Sequence, residues 1–570
     1  MAESGSLPQL PEFKDLLLEA VSLHQQGKFA EAKDGYEKVL ALRPEQADAW
    51  HLLGVLSGQC GHHAEAVEKI DRAIVLNPLE AMFFNNRGIS LRGLQRPSEA
   101  LADFDRALEL KADHAPTHNN RGNVLRDLGR FEEALASYER AIRLRPTYAE
   151  ALSNRGTTLT DLGRFDEALI SHNQAITLKP DYAEAYLNRG NTLKELKRLE
   201  EALESYERVI SLNPLHAQAF YNRGGALQEL GQRNAALGSY DQAIALNQGI
   251  ADAHWNKALL LLQDGQLVQG WTLYEWRWAT KHFESSKRSL SCPLWLGAEE
   301  IEGKTILLHA EQGFGDTIQF SRYATLVKAL GARVVLEVPK ALIPLMQGLE
   351  GADEVIERGQ PLPSLDFHCP LLSLPLAFKT DLASIPCAVP YLKASAERKH
   401  RWWEYIGTDG FKIALCWQGK PTSKVDAGRS FPVTLFEGIA KIDTVRLISL
   451  QKNDGSEQLK NLPPGMKVET LPADFDGEGA AFLDSAAVME CVDLVITSDT
   501  ALTHLAGALG VENWTPLKHL PDWRWLLERN DSPWYPDHRL FRQRTPGDWQ
   551  TVFQEMEAAL RERMASRQPR

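Results

Sequence analysis

Cysteine is scarce and unpaired in this 570-residue sequence. Its six cysteines, Cys60, Cys292, Cys369, Cys387, Cys416 and Cys491, form no C-x-x-C pair. That excludes a dense disulfide framework and the usual zinc spacings, and fits reduced thiols. Basic clusters are missing as well. The net charge is -13 and no run of Lys and Arg stands out, so nucleic acid is excluded as the main partner, because neutralising phosphates requires clustered cations. Long apolar runs are also absent: the longest, near residues 258–262, falls far short of the ~20 residues that cross a bilayer. Residues 1–6 lack the positive n-region and apolar h-region of a secretory signal. A cytoplasmic chain without a membrane span is therefore expected.

What is present is ordinary in bulk. Apolar residues make up 44% and charged residues 24%, which excludes a wholly disordered, collagen-like or coiled-coil chain. The length exceeds what one hydrophobic core usually fills, so at least two folding units are expected.

The first half is periodic. Asn86-Arg87-Gly88 returns at Asn120, Asn154, Asn188 and Asn222, each time 34 residues on. Small residues recur with it, at Gly54, Gly88, Gly122, Gly156, Gly190 and Gly224 and at Ala66, Ala100, Ala134, Ala168, Ala202 and Ala236. Such columns are expected where two helices cross closely. Tyr36, Phe104, Tyr138, Tyr206 and Tyr240 are expected to fill the gaps between hairpins. Gly27, Gly61, Gly129, Gly163 and Gly231 suit left-handed turns inside them, and Pro44, Pro78, Pro146, Pro180 and Pro214 mark the register. These offsets resemble the tetratricopeptide repeat, with seven full copies from about residue 13 to 250 and a degenerate eighth to about 284. The resemblance implies an α-solenoid, a superhelix whose first helices line a concave face. Asn86, Asn120, Asn154, Asn188, Asn222 and Asn256 would form a ladder there, either pairing with the backbone of an extended peptide or bonding neighbouring repeats. The arginine column from Arg87 to Arg223 reads as structural or as a solvated stripe.

The rhythm then stops, and tryptophan marks the change: Trp50 and Trp255 precede residue 260, and the other twelve of 14 follow. The aromatic stripe at residues 270–278 suits a closing helix, and residues 281–290 a polar linker. Beyond Gly303, strand, loop and helix alternate. Strands are expected at 304–309, 332–338, 365–370, 411–417, 445–450, 468–471 and 494–497, with one helix over 317–330. Two such cycles predict two parallel sheets covered on both faces.

Ligands of open parallel sheets bind beyond the carboxyl ends of strands. Two strand-to-helix corners stand there. In the first, Gly313 and Gly315 permit a tight turn and Asp316 follows at a helix start. In the second, residues 497–507 run from an apolar strand into a helix whose first turn carries Asp499, Thr500 and His504, a ready anion site. The G-x-G-D turn followed by Asp499-Thr500-Ala501-x-x-His504 resembles the heptosyltransferase-like glycosyltransferases of family 9, which have the GT-B fold of two Rossmann-like lobes. The chain departs from that pattern at Ala501 and Gly507, where the family has glycine and alanine. A closer resemblance, carried by residues 308–313, Arg429-Ser430, residues 449–451, 521–525 and 532–536, is to bacterial tetratricopeptide-repeat proteins fused to such a domain. The architecture is also similar to that of protein O-GlcNAc transferases.

The resemblance implies sugar transfer from a nucleotide-sugar donor, without metal or cofactor, to a hydroxyl, with a protein acceptor taken by the repeats. Asp316 would be the general base. Gly313, Gly315, Asp499, Thr500 and His504 would bind the donor, with Arg429 or Lys424 as the cation on its phosphate. Other uses of these residues remain open: Asp316 also suits a helix cap, Arg429 a loop charge and His504 a packing role. The D-x-D of Asp474 and Asp476 lies in a Gly-rich turn and is not taken as a metal site. Two alternatives stand beside this reading: a non-enzymatic scaffold with a degenerate transferase domain, and a transferase acting on a saccharide or lipid-linked acceptor. The expected domains are a tail (1–12), the repeats (13–284), a linker (285–302), a first lobe (303–400) and a second lobe with a C-terminal helix (401–570).

Overall fold

The structure, a computed structural model, describes residues 10–567 except 312, 422–427, 478 and 480. It divides into two compact units, Met1–Leu246 and Asn247–Arg570.

The first unit is an α-solenoid of helical hairpins running from Leu10–Gln25 to Arg233–Leu246. Each hairpin turns on one left-handed residue. Gly27, Gly61, Gly129, Gly163 and Gly231 have φ between 73 and 81°, while Gln95 and Lys197 take the same conformation at 59°. A side chain there costs about 1 kcal/mol, so glycine is preferred but not required. The aromatic column packs between hairpins, as where Tyr206 shares a cluster with Leu169 and Ala226, and its rings also fill the crossing within each hairpin. A Cβ on Gly122 would stand 2.6 Å from the Tyr138 ring, one on Gly190 2.5 Å from Tyr206, and one on Gly224 2.6 Å from Tyr240. Glycine in the first helix is what admits the ring of the second. The arginine column is structural. Arg87 bridges Asp71 of the preceding hairpin and Asp103 of its own, and Arg121 repeats the pattern with Asp105 and Ser137.

The second unit begins with a helical hairpin, Ala251–Gln263 and Leu267–Tyr274, so the eighth repeat is packed with the α/β body. Ala258, Leu262, Leu267, Trp271 and Tyr274 share one core with the first sheet. The Trp271 indole donates to the Thr380 carbonyl at 3.1 Å.

Two all-parallel sheets follow. The first comprises β1 (Thr305–His309), β2 (Arg333–Val338), β3 (Glu354–Glu357) and β4 (Phe367–Pro370) in the order β3-β2-β1-β4. The second comprises β5 (Phe411–Cys416), β6 (Val445–Ser449), β7 (Glu469–Thr470), β8 (Leu494–Thr497), β9 (Asn513–Leu517) and β10 (His538–Arg542) in the order β10-β9-β8-β5-β6-β7. The expected helix over 317–330 is broken into Phe314–Phe320 and Ala324–Ala329 by a 3-10 turn. There Ser321 Oγ and Arg322 Nε donate to the carbonyls of Ile318 and Gln319, competing with the helical ladder.

Strand order reverses beside β1 in the first sheet and between β5 and β8 in the second. Crevices at the carboxyl ends of strands form at such points. Glu311 to Asp316 follow β1, Arg429 follows β5 and Asp499 follows β8, so both corners stand at topological switch points.

Candidate functional site

The first corner is held from behind. Glu311, in the turn after β1, is buried and takes two hydrogen bonds of 2.9 Å from the equally buried Arg277. Ser373 and Glu275 accept further bonds from that guanidinium at 2.7 and 2.6 Å. Beyond it Gly313 caps the Phe314–Phe320 helix, whose first turn carries Asp316.

The second corner leaves β8 through Ser498 and Asp499 to Thr500, the extended N-cap of the Ala501–Leu509 helix. Ser498 Oγ and Thr500 Oγ1 are buried with no hydrogen-bond partner among the described residues. Buried hydroxyls are normally satisfied. Two unsatisfied ones at one helix N-terminus, where backbone N–H groups also lack helical partners, form a polar lining suited to an anion.

The corners meet across Gly315. A Cβ there would lie 2.8 Å from His504 Cδ2 and 3.5 Å from Ala501 Cα, so glycine is what lets the two helices touch. His504 is buried, stacked on Trp525 with ring centres 5.5 Å apart, and its Nδ1 is bonded to the Tyr535 hydroxyl at 3.0 Å. Burial, aided by the charge of Arg524, holds its imidazole well below the usual histidine range, so it is neutral. The departure at position 507 has a partner in the fold: a Cβ on Gly507 would meet Tyr535 Cδ1 at 2.2 Å. Glycine there seats the tyrosine that fixes His504.

A chain of alternating charges joins the corners. Arg524 Nη2 donates to Asp316 Oδ1 at 2.5 Å, Nη1 to Asp522 Oδ1 at 2.8 Å, and Nε to Gln319 Oε1 at 2.7 Å. Arg429 Nη2 donates to Asp522 Oδ2 at 3.0 Å, and Arg429 Nε lies 3.3 Å from Asp499 Oδ2. Three carboxylates thus face two guanidiniums. Burial opposes the charge of Asp522, yet Arg524 and Arg429 on either side hold it down to about 2. Burial raises Asp316 above the usual carboxylate range against the opposing pull of Arg524. It raises Asp499 likewise, against Arg429. Asp316 remains 27% exposed and is the member of the chain most open to a ligand.

Of the expected site residues, Gly313, Gly315, Asp316, Arg429, Asp499, Thr500 and His504 come together. Lys424 lies outside the described residues. Asp522, Arg524 and Tyr535 were missed. The signal available for the first two was a pair of opposite charges, Asp522 and Arg524, alternating with Trp523 and Trp525. The D-x-D residues are engaged structurally: Asp476 receives the N–H groups of Asp484 and Ser485, and Asp474 pairs with Arg401 at 2.6 Å. Among the described residues no group of three His, Cys, Asp or Glu is arranged to hold a metal ion, and no helix is long and apolar enough to cross a membrane.

In the first unit the asparagine ladder uses its donors internally. Asn120 Nδ2 donates to Asn85 at 3.2 Å, Asn154 to Asn119 at 3.0 Å and Asn188 to Ser153 at 3.4 Å, in each case one repeat back. Asn86 instead meets His51, and Asn222 meets Asn191. Among the described residues no donor reaches Oδ1 of Asn120, Asn154 or Asn188. Asn120 also lines a cleft of about 700 Å³ with Ile89, Arg92, Phe104 and Asp127. Asn256 lies half-buried in the second unit.

Comparison with known proteins agrees with the helical half. Models described as TPR repeat match residues 122–159 and 156–197, and models described as tetratricopeptide repeat match 183–215 and 17–57, 59–115 and 226–269. The chain therefore carries tetratricopeptide repeats. It is 26% identical over 333 residues to Protein FlbA of Caulobacter vibrioides, a match spanning 54% of this chain and 55% of that protein. The chain thus spans about half the length of this curated relative. Among solved structures, the Cut9–Hcn1 hetero-tetramer of APC/C shares 19% identity over 46% of this chain and 52% of that one, with a TM-score of 0.38. YrrB, described as a TPR protein with an unusual peptide-binding site, shares 30% identity over 34% of this chain and the whole of that one, with a TM-score of 0.28.

Proposed function

We propose that the second unit is a glycosyltransferase of the GT-B type, inverting and independent of metal, and that the repeats recruit a protein acceptor. The observation that supports this best is the meeting of the two corners at Gly315, which places a solvent-reached carboxylate beside a helix N-terminus lined with unsatisfied hydroxyls. In the reaction, Asp316 takes the proton of an acceptor hydroxyl. The acceptor oxygen forms a bond to the anomeric carbon as the bond from that carbon to the donor phosphate breaks. The nucleotide leaves with the electron pair, and its growing charge is met by the Ala501–Leu509 helix start, the hydroxyls of Ser498 and Thr500, and Arg429. His504, neutral and pinned by Tyr535, shapes the corner. The nucleotide sugar is a substrate, so no resident cofactor enters the scheme.

For the acceptor, the open carbonyls of Asn120, Asn154 and Asn188 suit the N–H groups of an extended peptide. The peptide-binding site named for YrrB accords with such a use of tetratricopeptide repeats.

A thermal-shift panel of ADP-heptose, UDP-hexosamine and CMP-nonulosonate tests the reading, since a ligand at 100 times its Kd stabilises by about 2.7 kcal/mol. One donor is expected to raise the melting temperature, and Asp316→Ala to lower transfer by about 10²- to 10⁴-fold while donor binding persists. Silence across the panel, or full transfer by the Asp316→Ala variant, refutes the assignment. A scaffold that binds no donor is the second reading. It draws on the two carboxylates already facing Arg429 and predicts that silence.

A further inference from the structure

We propose that Arg524 is a positioning residue for Asp316: its guanidinium holds one carboxylate oxygen so that the other faces the incoming hydroxyl, and Asp522 sets how firmly it does so. The inference rests on reading Asp316 as the base, and extends it to residues outside both corners.

The geometry is specific to a guanidinium. Nε, Nη1 and Nη2 of Arg524 each have a separate acceptor, Gln319, Asp522 and Asp316. A planar fork satisfies three such directions at once, whereas an ammonium is a point charge. The cation is fixed from other sides too. It lies 4.2 Å over the Trp523 ring, and the Asp522 carboxylate also caps the turn by accepting from the Arg524 N–H at 3.1 Å. Arg524 is 9% exposed against 27% for Asp316. The donor is thus buried and the carboxylate it holds is open. Arg524 takes Asp316 Oδ1, and Oδ2, which lies beside the Gly313 backbone, is the oxygen with no side-chain donor among the described residues.

Asp522 stands between two cations and shares itself between them. Its Oδ1 takes Arg524 and its Oδ2 takes Arg429. Neutralising Asp522 would leave Arg524 with Asp316 as its remaining charged acceptor and remove a like charge from the neighbourhood of Asp316. Removing the fork of Arg524 would do the reverse. The two changes therefore act on the proton affinity of Asp316 in opposite directions. The charged and titratable groups that bear on Asp316 are Arg524, Asp522, Arg429 and the buried phenol of Tyr274; Asp522→Asn also takes a charged partner from Arg429, a cation whose pull on Asp316 acts in the same downward direction.

The test is the ionisation midpoint of Asp316 in the full chain, isolated as the infrared carboxylate difference between each protein and its Asp316→Asn counterpart across pH. Arg524→Lys is expected to raise the midpoint by about one unit, a tenfold gain in proton affinity, and Asp522→Asn to lower it. Under the proposed transferase activity, the acid limb of the pH profile of kcat moves with the midpoint in each variant. A residue acting merely as scaffold would lower the melting temperature in both variants and leave both midpoints where they were, and that result overturns the proposal. Should Arg524→Lys fail to fold, the downward shift in Asp522→Asn decides alone. Absence of transfer from every nucleotide sugar would refute the transferase reading while leaving the midpoints to judge the positioning role.

Discussion

Arg277→Met should destabilise the second unit severely, and the structure says by how much and at which pH. Arg277 is fully buried and supplies both hydrogen bonds that Glu311 receives from a side chain, at 2.9 Å each. It also bonds Ser373 and Glu275 and lies 4.4 Å over the Trp278 ring and 4.8 Å over that of Tyr274. Methionine keeps much of the volume of the stem. What it cannot keep is the charge, and Glu311 is left with the Leu372 N–H at 3.2 Å. Breaking a buried pair from one side costs about 3–5 kcal/mol. Replacing both members, as Arg277→Met with Glu311→Gln, removes the stranded charge and should recover at least half of that loss. All tryptophans except Trp50 lie in the second unit, so urea unfolding followed by tryptophan fluorescence reads it directly. The pH dependence fixes the cause. Burial already raises Glu311 above its usual range, with Arg277 opposing. In the single variant that opposition is gone, the folded protein binds the proton more tightly than the unfolded chain, and stability rises as pH falls toward the unfolded pKa. The deficit against wild type should therefore shrink between pH 8 and pH 5. A deficit under about 1 kcal/mol at pH 8, or a double variant no better than the single, would refute the reasoning.

Other outcomes follow from rings in unusual company. His172 occupies the place that tyrosine or phenylalanine takes in neighbouring repeats. It is fully buried, neither nitrogen has a hydrogen-bond partner among the described residues, and burial lowers it to about 4. His172→Phe should stabilise the first unit by about 1–2 kcal/mol by removing unpaired polar atoms. The gain should widen as pH falls from about 6.5 toward 4, because the unfolded histidine then binds a proton that the folded one refuses. Circular dichroism melts at pH 7 and pH 5 would show it, and equal gains at both would count against the titration. Gly507→Ala would force Tyr535 aside from a contact at 2.2 Å. We expect a loss of about 1–3 kcal/mol and exposure of the His504 ring, detectable as an upward shift of its pKa by NMR. An unchanged His504 would show that Tyr535 does not fix it.

How much of this was legible in the chain depended on whether the signal was local. The hairpins were plain because glycine, alanine and aromatic columns repeat at one offset, and each column answers to a contact inside a single hairpin. Central strands such as β1, β5 and β8 announced themselves as short apolar runs. The strands that escaped notice were β3, β9 and β10, and β9 shows why. It contains Pro516, which argues against a strand between two neighbours. Carbonyls of even-numbered residues in β9 face β8, as the bond from Val495 N to Glu512 O shows, and odd-numbered ones face β10. Pairing with β8 stops at Trp514, so the N–H missing at Pro516 falls beyond that ladder and costs it no bond.

The candidate site was half legible for the same reason. Each corner carries its own turn, glycine and helix start within a few residues, and could be found alone. What joins them could not, because Arg524 stands 208 residues from Asp316 and 93 residues separate Arg429 from Asp522, distances that no local period records. The consequence bears on chemistry. Reading the chain alone, one looks for a free cation to meet a phosphate. Arg429 is instead balanced between Asp499 and Asp522, and Arg524 between Asp522 and Asp316, so an anion arriving at Arg429 must compete with carboxylates already there. Whatever it displaces is felt at Asp522, and through Arg524 at Asp316. Asp522 gives one carboxylate oxygen to the cation of each corner, so the two corners share a single side chain. In the sequence Asp522 is one residue of the segment 521–525; in the fold it is the junction of the site.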